Sequence, residues 1–338
     1  MIRLPITINA AKIGETSAHK AFTFDLSRIT DAVWWAAITA VGDIVVKDSA
    51  GNIKPRVIDS LDTVAKTGVI TWDAEVSTAE DKVYYLDIIS GYGAVNSPVA
   101  FTNDGCLIRY SMDNAEAPFV DSCGNYSLTN SGAILAQSGK IGKSVFIPNK
   151  SAFLYQTYIT QLSSATKWTV SLLFKPSDTI SYQLLVGEVS QGIMRIEFLN
   201  DIFYVEPVGL TGSMALDNMA NYIPVDEWAE VTFVFDGSLS VNSRSALYVN
   251  GAPMELRVNT GANPSGFPIS GAEYLIGQSG ISFQGNIDEL RHFDEAKSAG
   301  WAITEYNMIF DAEAVTIGGV ITSSNRRRPF GFGFGFRL

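Results

Sequence analysis

The stretch WAEVTFVFDGSLSVNSRSALYVNGAPMEL, from Trp228 to Leu256, carries the clearest fold signal in this sequence. Its first and last parts are rich in β-branched and aromatic residues, which favour extended strands. Between ALYV and MELRV stands the pair Asn250–Gly251. Both residues of such a pair accept the positive φ angles that a tight hairpin turn requires. The stretch therefore predicts two antiparallel strands joined by a short turn.

Strand signals of the same kind recur along most of the chain. The first hundred residues contain such runs over Arg3–Asn9, Lys20–Leu26, Asp43–Ser49, Gly68–Val76 and Lys82–Ile89. SGYGAVNSP (Ser90–Pro98) has the composition of a linker, and CLIRYSM (Cys106–Met112) opens a second strand-rich region. One convincing helix pattern covers Ala296–Phe310, with apolar groups largely along one side at Trp301, Ile303, Tyr306 and Met308–Ile309. The pattern predicts an all-β protein with one late helix and excludes an alternating β-α-β architecture.

Composition points to a folded, acidic protein. The chain has 338 residues, of which 46% are hydrophobic and 17% charged, and its formal net charge is −11. This length suits two domains and a tail, which we place at residues 1–98, 99–310 and 311–338. So acidic a surface repels phosphate backbones, which argues against a nucleic-acid partner.

The start of the chain has no signal-peptide pattern, and no stretch has the length and apolarity of a transmembrane helix. We therefore expect synthesis in the cytoplasm and no membrane insertion. Cys106 and Cys123 are the only cysteines. A disulfide between them and two unpaired thiols both remain open.

The last residues, RRRPFGFGFGFRL (Arg326–Leu338), differ from everything before them. Three arginines precede four phenylalanines that alternate with glycine; the residues are Arg326, Arg327, Arg328, Phe330, Phe332, Phe334 and Phe336. In an extended chain these phenylalanines share one face, and the glycine face allows another strand to approach closely. We predict that this tail anchors the protein in a larger assembly; the alternative is a free low-complexity end.

Several separated motifs stand in a characteristic order. YSMDNAEAPFVDSCGN (Tyr110–Asn125) is followed by GKIGKSVFIP (Gly139–Pro148), by the hairpin region quoted above, and by GNIDELRHFDEAKS (Gly285–Ser298). From about residue 105 to 307 this series resembles the laminin-G-like, concanavalin A-type lectin modules. Residues 6–97 resemble, more weakly, a small β domain of unknown function that often precedes such modules. The resemblance implies a small N-terminal β-sandwich, then a concanavalin A-like jelly-roll sandwich, and an extended C-terminal tail.

The resemblance also implies calcium as a cofactor, near the opening loop and the closing strand. The residues at those places are Asp121, Asn125 and Asp288, and Asp113 and Asn286 are further oxygen donors nearby. Asp121 and Asp288 can instead accept hydrogen bonds from a turn and a strand, and the spacing leaves both roles open.

Sugar recognition needs flat apolar rings beside polar groups. The candidates for a ligand-binding site are Tyr155, Tyr158, Tyr182 and Tyr222, with Trp301 as a further aromatic residue. Most aromatic side chains in a sandwich nevertheless belong to its core.

Catalytic patterns are missing from the sequence. Glucan-cleaving relatives of this fold carry a Glu-x-Asp-x-x-Glu strand, and retaining chemistry needs two carboxyl groups about 5–5.5 Å apart. Asp288 and Glu289 are adjacent in a predicted strand, so we expect them on opposite faces. The two histidines, His19 and His292, fall in different predicted domains. The sequence therefore predicts a protein that is not an enzyme.

A lectin-like fold, an acidic surface, no export signal and an assembly tail together predict a bacteriophage virion protein, at the tail tip or fibre or on the capsid surface. Its predicted partners are other virion structural proteins, through the tail, and a host-surface polysaccharide. A symmetric homo-oligomer, plausibly a trimer, would strengthen weak binding by avidity. The alternatives are a bacterial or archaeal cell-surface adhesin and, third, a polysaccharide-degrading enzyme.

Overall fold

The computed structural model describes residues 1–124, 126–156, 165–179, 181–188, 195–206, 214–258 and 274–322. Its α-helices are α1 (Ala32–Ala36), α2 (Val99–Thr102) and α3 (Ala299–Phe310). Short 3-10 turns cover Ala10–Lys12, Leu26–Arg28, Val41–Asp43, Met219–Asn221, Val241–Ser243 and Ala312–Ala314. Within the described ranges, no helix has the length and apolarity needed to cross a membrane. The prediction of an all-β protein with one late helix of several turns is confirmed.

The N-terminal unit is a small sandwich of two sheets. Its strands are β1 (Ile2–Ile8), β2 (Ser17–Asp25), β3 (Ile44–Asp48), β4 (Arg56–Asp62), β5 (Thr67–Val76) and β6 (Lys82–Ile88). Sheet 1 contains β1, β6 and β3 in that order, and sheet 2 contains β2, β5 and β4. Because side chains alternate along a strand, β1 sends Leu4, Ile6 and Ile8 inward. They pack with Trp34 and Trp72 in the core between the two sheets.

The second unit is a jelly-roll sandwich. Its strands are β7 (Cys106–Tyr110), β8 (Thr129–Ser131), β9 (Ile134–Ser138), β10 (Lys143–Ile147), β11 (Phe153–Gln156), β12 (Lys167–Pro176), β13 (Gln183–Glu188), β14 (Arg195–Leu199), β15 (Ile202–Glu206), β16 (Met214–Asp217), β17 (Ala229–Asp236), β18 (Ser245–Val249), β19 (Ala252–Met254), β20 (Arg257–Val258), β21 (Tyr274–Ile276) and β22 (Gly285–Phe293). Sheet 3 has the order β19-β18-β17-β12-β22-β10-β9, with β7 also paired to β22. Sheet 4 has the order β20-β16-β15-β14-β13-β21-β11-β8. The larger core lies between sheets 3 and 4 and includes Trp168, Phe198 and Phe233.

The hairpin predicted at Asn250–Gly251 is present. The φ angle is 51° at Asn250 and 72° at Gly251, as a turn with two left-handed residues requires. Val249 pairs with Ala252 across the turn, which joins β18 to β19.

Helix α3 begins after Ser298, whose hydroxyl accepts a hydrogen bond from the backbone N–H of Trp301 at 3.0 Å. Such a cap satisfies one of the free N–H groups of the first turn. The buried side of the helix differs from the predicted one, since Ile303 is 38% exposed and Glu305 is only 4% exposed. Glu305 is buried because it forms ion pairs with Lys20 and Arg291.

The C-terminal part of the described chain returns to the N-terminal unit. Its strands are β23 (Val315–Ile317) and β24 (Ile321–Thr322), and both pair with β1. Ala314 and Val315 are buried in the core of the N-terminal unit. Residues 315–322 thus complete sheet 1, whereas we had assigned them to a separate C-terminal element. Sequence patterns show the strand but not its partner, because the pairing spans almost the whole chain.

The two sandwiches meet at a buried junction. Sheet 2 packs against the face of sheet 3 that points away from the jelly-roll core. The Arg109 guanidinium of β7 donates to Asp59 of β4 at 2.8 Å, and that of Arg291 on β22 donates to the Thr23 hydroxyl of β2 at 2.9 Å. Lys20 of β2 bonds to Glu305 of α3. These contacts fix the two sandwiches relative to each other through charged groups rather than through an apolar seam.

The charges of the junction balance. Four buried cations, Lys20, Arg109, Arg291 and Lys297, are paired with four carboxylates, Asp59, Asp104, Glu289 and Glu305. Three further carboxyl groups lie buried there, on Asp113, Glu230 and Asp288. Burial raises the pKa of Asp113 and of Glu230 to about 8, and it raises the pKa of Asp288 well above its ordinary value. We conclude that these three are neutral acids at pH 7, because a buried carboxylate without a cation is strongly disfavoured.

Of the two alternatives for the cysteines, the structure shows unpaired thiols. Cys106 and Cys123 are both buried and free. The Cys123 thiol donates to the backbone carbonyl of Cys106 at 3.5 Å, so the two residues are neighbours without a disulfide.

Candidate functional site

The outward surface of sheet 4 gathers polar and aromatic side chains. Ile196 and Phe198 of β14 and Phe203 and Val205 of β15 point into the jelly-roll core. The residues between them therefore point outward, by the alternation of a strand.

Two rows of residues follow from the strand register. The first row runs Tyr155, Leu275, Gly187, Arg195, from β11 to β14. The second row runs Glu197, Tyr204, Ala215, Arg257, from β14 to β20. We call these two rows, together with Tyr182, the sheet 4 outer face.

The sheet 4 outer face combines an aliphatic floor with polar walls. Leu275 and Ala215 are 2% and 1% exposed and form the floor, whereas Tyr155 and Tyr204 are half-buried. The Tyr182 hydroxyl donates to the Glu197 carboxylate at 2.8 Å.

At one end of the second row an exposed ion pair is formed. The Arg257 guanidinium donates to Asp217 at 2.9 Å. Phenol rings flanked by a carboxylate and guanidinium groups offer both an apolar surface and hydrogen-bonding groups, which is what a hydroxylated ligand such as a sugar requires.

The predicted tyrosines are not all brought together. Tyr155 and Tyr182 lie on the sheet 4 outer face, and Tyr158 lies outside the described residues. Tyr222 is 42% exposed and follows the short turn after β16, where its carbonyl accepts a hydrogen bond from Asn250 at 3.5 Å. It is thus near the β18–β19 hairpin of sheet 3. Trp301 is 2% exposed and packs on Phe293 in the junction, so it is a core residue.

Sequence reasoning missed Arg195, Glu197 and Tyr204. Their signal was the alternation within RIEFL and IFYVE, in which every second residue is apolar and buried. That alternation marks outward positions without distinguishing a ligand-binding face from an ordinary solvated one.

The predicted calcium residues have backbone partners. The Asp121 carboxylate accepts hydrogen bonds from the N–H groups of Arg109 and Cys123, both at 2.9 Å, and of Tyr126 at 3.2 Å. The Asp288 carboxyl accepts from Lys140 and Ile141 at 2.9 and 3.0 Å. Asn125 lies outside the described residues.

These contacts match the structural role that the sequence had left open for the two aspartates. One oxygen each of Asp113 and Asp288 is buried without a hydrogen-bond partner, but the raised pKa of both groups favours a proton there. Asn286 instead donates to Ser144 at 3.0 Å. Across the described ranges, no three His, Cys, Asp or Glu side chains come close enough together to hold a metal ion. The described residues do not form a calcium ligand set, and calcium binding stays a prediction.

The prediction that Asp288 and Glu289 point to opposite faces is wrong. Strand β22 has a bulge, because its register against β12 shifts and the φ angle of Glu289 is 47°. Asp288 pairs with Leu173, which packs outside the jelly-roll core, and Glu289 bonds to Arg109 in the junction. Both carboxyl groups therefore lie on the outward side of sheet 3. They are 0% and 2% exposed beneath the N-terminal unit, so a polysaccharide cannot reach them.

The histidines form no catalytic pair with each other. His292 is buried, bonds to the Tyr274 hydroxyl, and has its pKa lowered to about 3 by burial. His19 contacts the carboxylate of Asp73 at 3.0 Å in the N-terminal unit.

Comparison with known proteins identifies the second unit. Residues 150–301 match the model of the concanavalin A-like lectin/glucanases superfamily, in its Laminin_G_3 family, so this part of the chain is a concanavalin A-like domain. The resemblance stated from the sequence is confirmed for that region. No curated protein matches the chain.

Solved structures share the fold. The binding domain of Paraclostridial Mosquitocidal Protein 1 superimposes with a TM-score of 0.50 at 13% identity, over 62% of this chain and 53% of its own. The receptor binding domain of botulinum neurotoxin D gives 0.48 at 14% identity, over 61% and 53%. Domain 4 of AbnA, a GH43 extracellular arabinanase from Geobacillus stearothermophilus in complex with arabinotriose, gives 0.45 at 21% identity, over 60% and 97%. This chain covers about half of the first two chains, and identities this low concern the fold alone.

Proposed function

We propose that this protein is a non-enzymatic adhesion module that binds a glycan on the sheet 4 outer face. The observation that carries the proposal is the division of labour between the two large sheets. The outward side of sheet 3 is covered by the N-terminal unit, where Arg109, Glu289 and Arg291 are all at most 2% exposed. Among the described residues, the sheet 4 outer face is thus the broad sandwich surface left for a ligand.

The chemistry of that face supports a sugar. Tyr155, Tyr182 and Tyr204 supply rings for the C–H surfaces of a pyranose or furanose. Glu197 and Arg195 supply an acceptor and donors for hydroxyl groups.

A glycan array probed with the full chain tests this function, with and without EDTA to test the calcium prediction. Tyr204→Ala should weaken binding about fivefold or more, since a ring contact contributes about 1 kcal/mol. The matched control is Tyr92→Ala, which removes an exposed tyrosine of the N-terminal unit. Absence of binding to every glycan, or equal loss in both variants, contradicts the proposal. Release of reducing sugar from a bound polysaccharide would favour the degrading enzyme instead.

We further propose that the module acts on a bacteriophage virion, at the tail tip or fibre or on the capsid surface. The acidic composition, the two rigidly joined sandwiches and the Arg/Phe/Gly tail support this role. The tail residues Arg326–Leu338 lie outside the described residues, but the described chain ends in β24 at the rim of sheet 1. A tail starting there can reach a neighbouring subunit, of its own kind or another, without crossing the sheet 4 outer face.

Deleting residues 326–338 tests the tail. The truncated chain should keep its unfolding temperature and its glycan binding but fail to enter particles, as seen by electron microscopy with labelled antibody. Normal incorporation of the truncated chain contradicts an anchoring tail. Secretion genes rather than tail or capsid genes beside the coding sequence would favour the cell-surface adhesin.

A further inference from the structure

Arg195 occupies an unusual place on the sheet 4 outer face. It opens β14, its side chain is half-buried, and its strand neighbours are Gly187 on β13 and Glu206 on β15. Gly187 has no side chain, so the first row has a gap between Leu275 and Arg195. Three strand spacings of about 4.8 Å separate Tyr155 from Arg195, which places the ring about 14 Å from the guanidinium-bearing residue.

The Arg195 guanidinium has no hydrogen-bond or ion-pair partner. Its Nε atom is buried and unpaired. Every other described arginine donates to a carboxylate, a carbonyl or a hydroxyl; these are Arg3, Arg28, Arg56, Arg109, Arg244, Arg257 and Arg291. A charged donor removed from water without an acceptor is destabilising, and native structures rarely contain one unless a ligand supplies the acceptor.

The other charged groups of the face are already engaged. Arg257 is paired with Asp217, and Glu197 accepts from the Tyr182 hydroxyl. Arg195 is therefore the uncompensated cation of this face, in a protein whose formal net charge is −11. A planar guanidinium binds a carboxylate through two parallel hydrogen bonds, which gives both strength and orientation.

We infer that Arg195 selects glycans that carry a carboxylate, such as those built from uronic acids, with the acidic sugar lying in the gap at Gly187. This inference rests on the proposed function, because it names the class of glycan bound on the same face.

The test is an array that carries neutral glucans and mannans, polygalacturonate and other carboxylated glycans, and sulfated carrageenans. We expect wild-type protein to prefer the carboxylated glycans. Arg195→Gln should weaken that binding about 10- to 100-fold, the range for a charge-assisted hydrogen bond. Arg195→Lys should retain part of it, because the charge remains and the two-pronged geometry is lost. The control Arg244→Gln, which changes a half-buried arginine next to sheet 3, should bind within about twofold of wild type.

The outcomes separate the two claims. Binding to neutral glycans only, or equal binding by wild type and Arg195→Gln, overturns the inference and leaves the proposed function standing. Preference for carrageenans overturns the carboxylate assignment. Absence of binding to any glycan overturns the proposed function and the inference with it. Melting temperatures of all variants exclude unfolding as the cause of a loss.

Discussion

The substitution Arg109→Leu should lower the free energy of unfolding by about 3–5 kcal/mol, the range for removing one partner of a buried ion pair. The Arg109 guanidinium donates to Glu289 at 2.9 Å and to Asp59 at 2.8 Å. After the substitution Glu289 keeps Arg291 as a partner, at 2.8 Å. Asp59 keeps only a hydroxyl, that of Ser122 at 3.3 Å, among the contacts described here. Most of the loss should therefore come from the uncompensated Asp59 carboxylate.

Urea denaturation at pH 7, followed by tryptophan fluorescence, measures the change. The control Lys167→Leu breaks an exposed pair with Asp236, 2.9 Å long, and should alter the free energy of unfolding by no more than about 1 kcal/mol. Adding Asp59→Asn to Arg109→Leu should restore part of the stability, because the buried charge without a partner is then gone. A loss below about 1 kcal/mol for Arg109→Leu, or no recovery in the double variant, would refute an ion-paired junction.

Three further outcomes are expected. Burial raises the pKa of Asp113 to about 8, so its stabilising contribution is complete below about pH 4 and is lost as pH rises towards 8; Asp113→Asn should therefore lose less stability than wild type between pH 5 and 8, and parallel urea midpoints would contradict this. Gly285→Ala should cost more than about 2 kcal/mol, because φ is 144° and the added Cβ would lie 2.2 Å from the Lys175 carbonyl oxygen, whereas Gly319→Ala meets nothing and should be neutral in thermal melts. Ser298→Ala should cost about 1 kcal/mol through the lost cap of α3, and an unchanged melting temperature would argue against that cap.

Local elements could be predicted from the sequence where local chemistry decides them. The turn at Asn250–Gly251 and the helix after Ser298 depend on backbone preferences and capping, which a short window contains. Strand β4 (Arg56–Asp62) was missed because its polar residues interrupt the apolar alternation. Those residues point into the junction, where Asp59 meets Arg109.

The junction itself could not be predicted. In the sequence, Arg109, Glu289 and Arg291 look like ordinary solvated charges, because their burial depends on contacts between distant segments. The bulge at Glu289 likewise has no signal in a run that alternates regularly. For the candidate site, the aromatic type pointed to Tyr155 and Tyr182, but Arg195 is distinguished only by the partner it lacks.

The pairing of β1 with β23 and β24 has a consequence for biosynthesis. The jelly roll is an insertion between the first and last strands of the N-terminal unit, and all its strands lie between residues 106 and 293. On the ribosome, the segment made first must wait for residues 315–322 before its sheet is complete. The nascent jelly roll can close earlier, so the order of folding runs opposite to the order of translation for these two units. A ribosome stalled before residue 315 would display a finished jelly roll attached to an unfinished sheet.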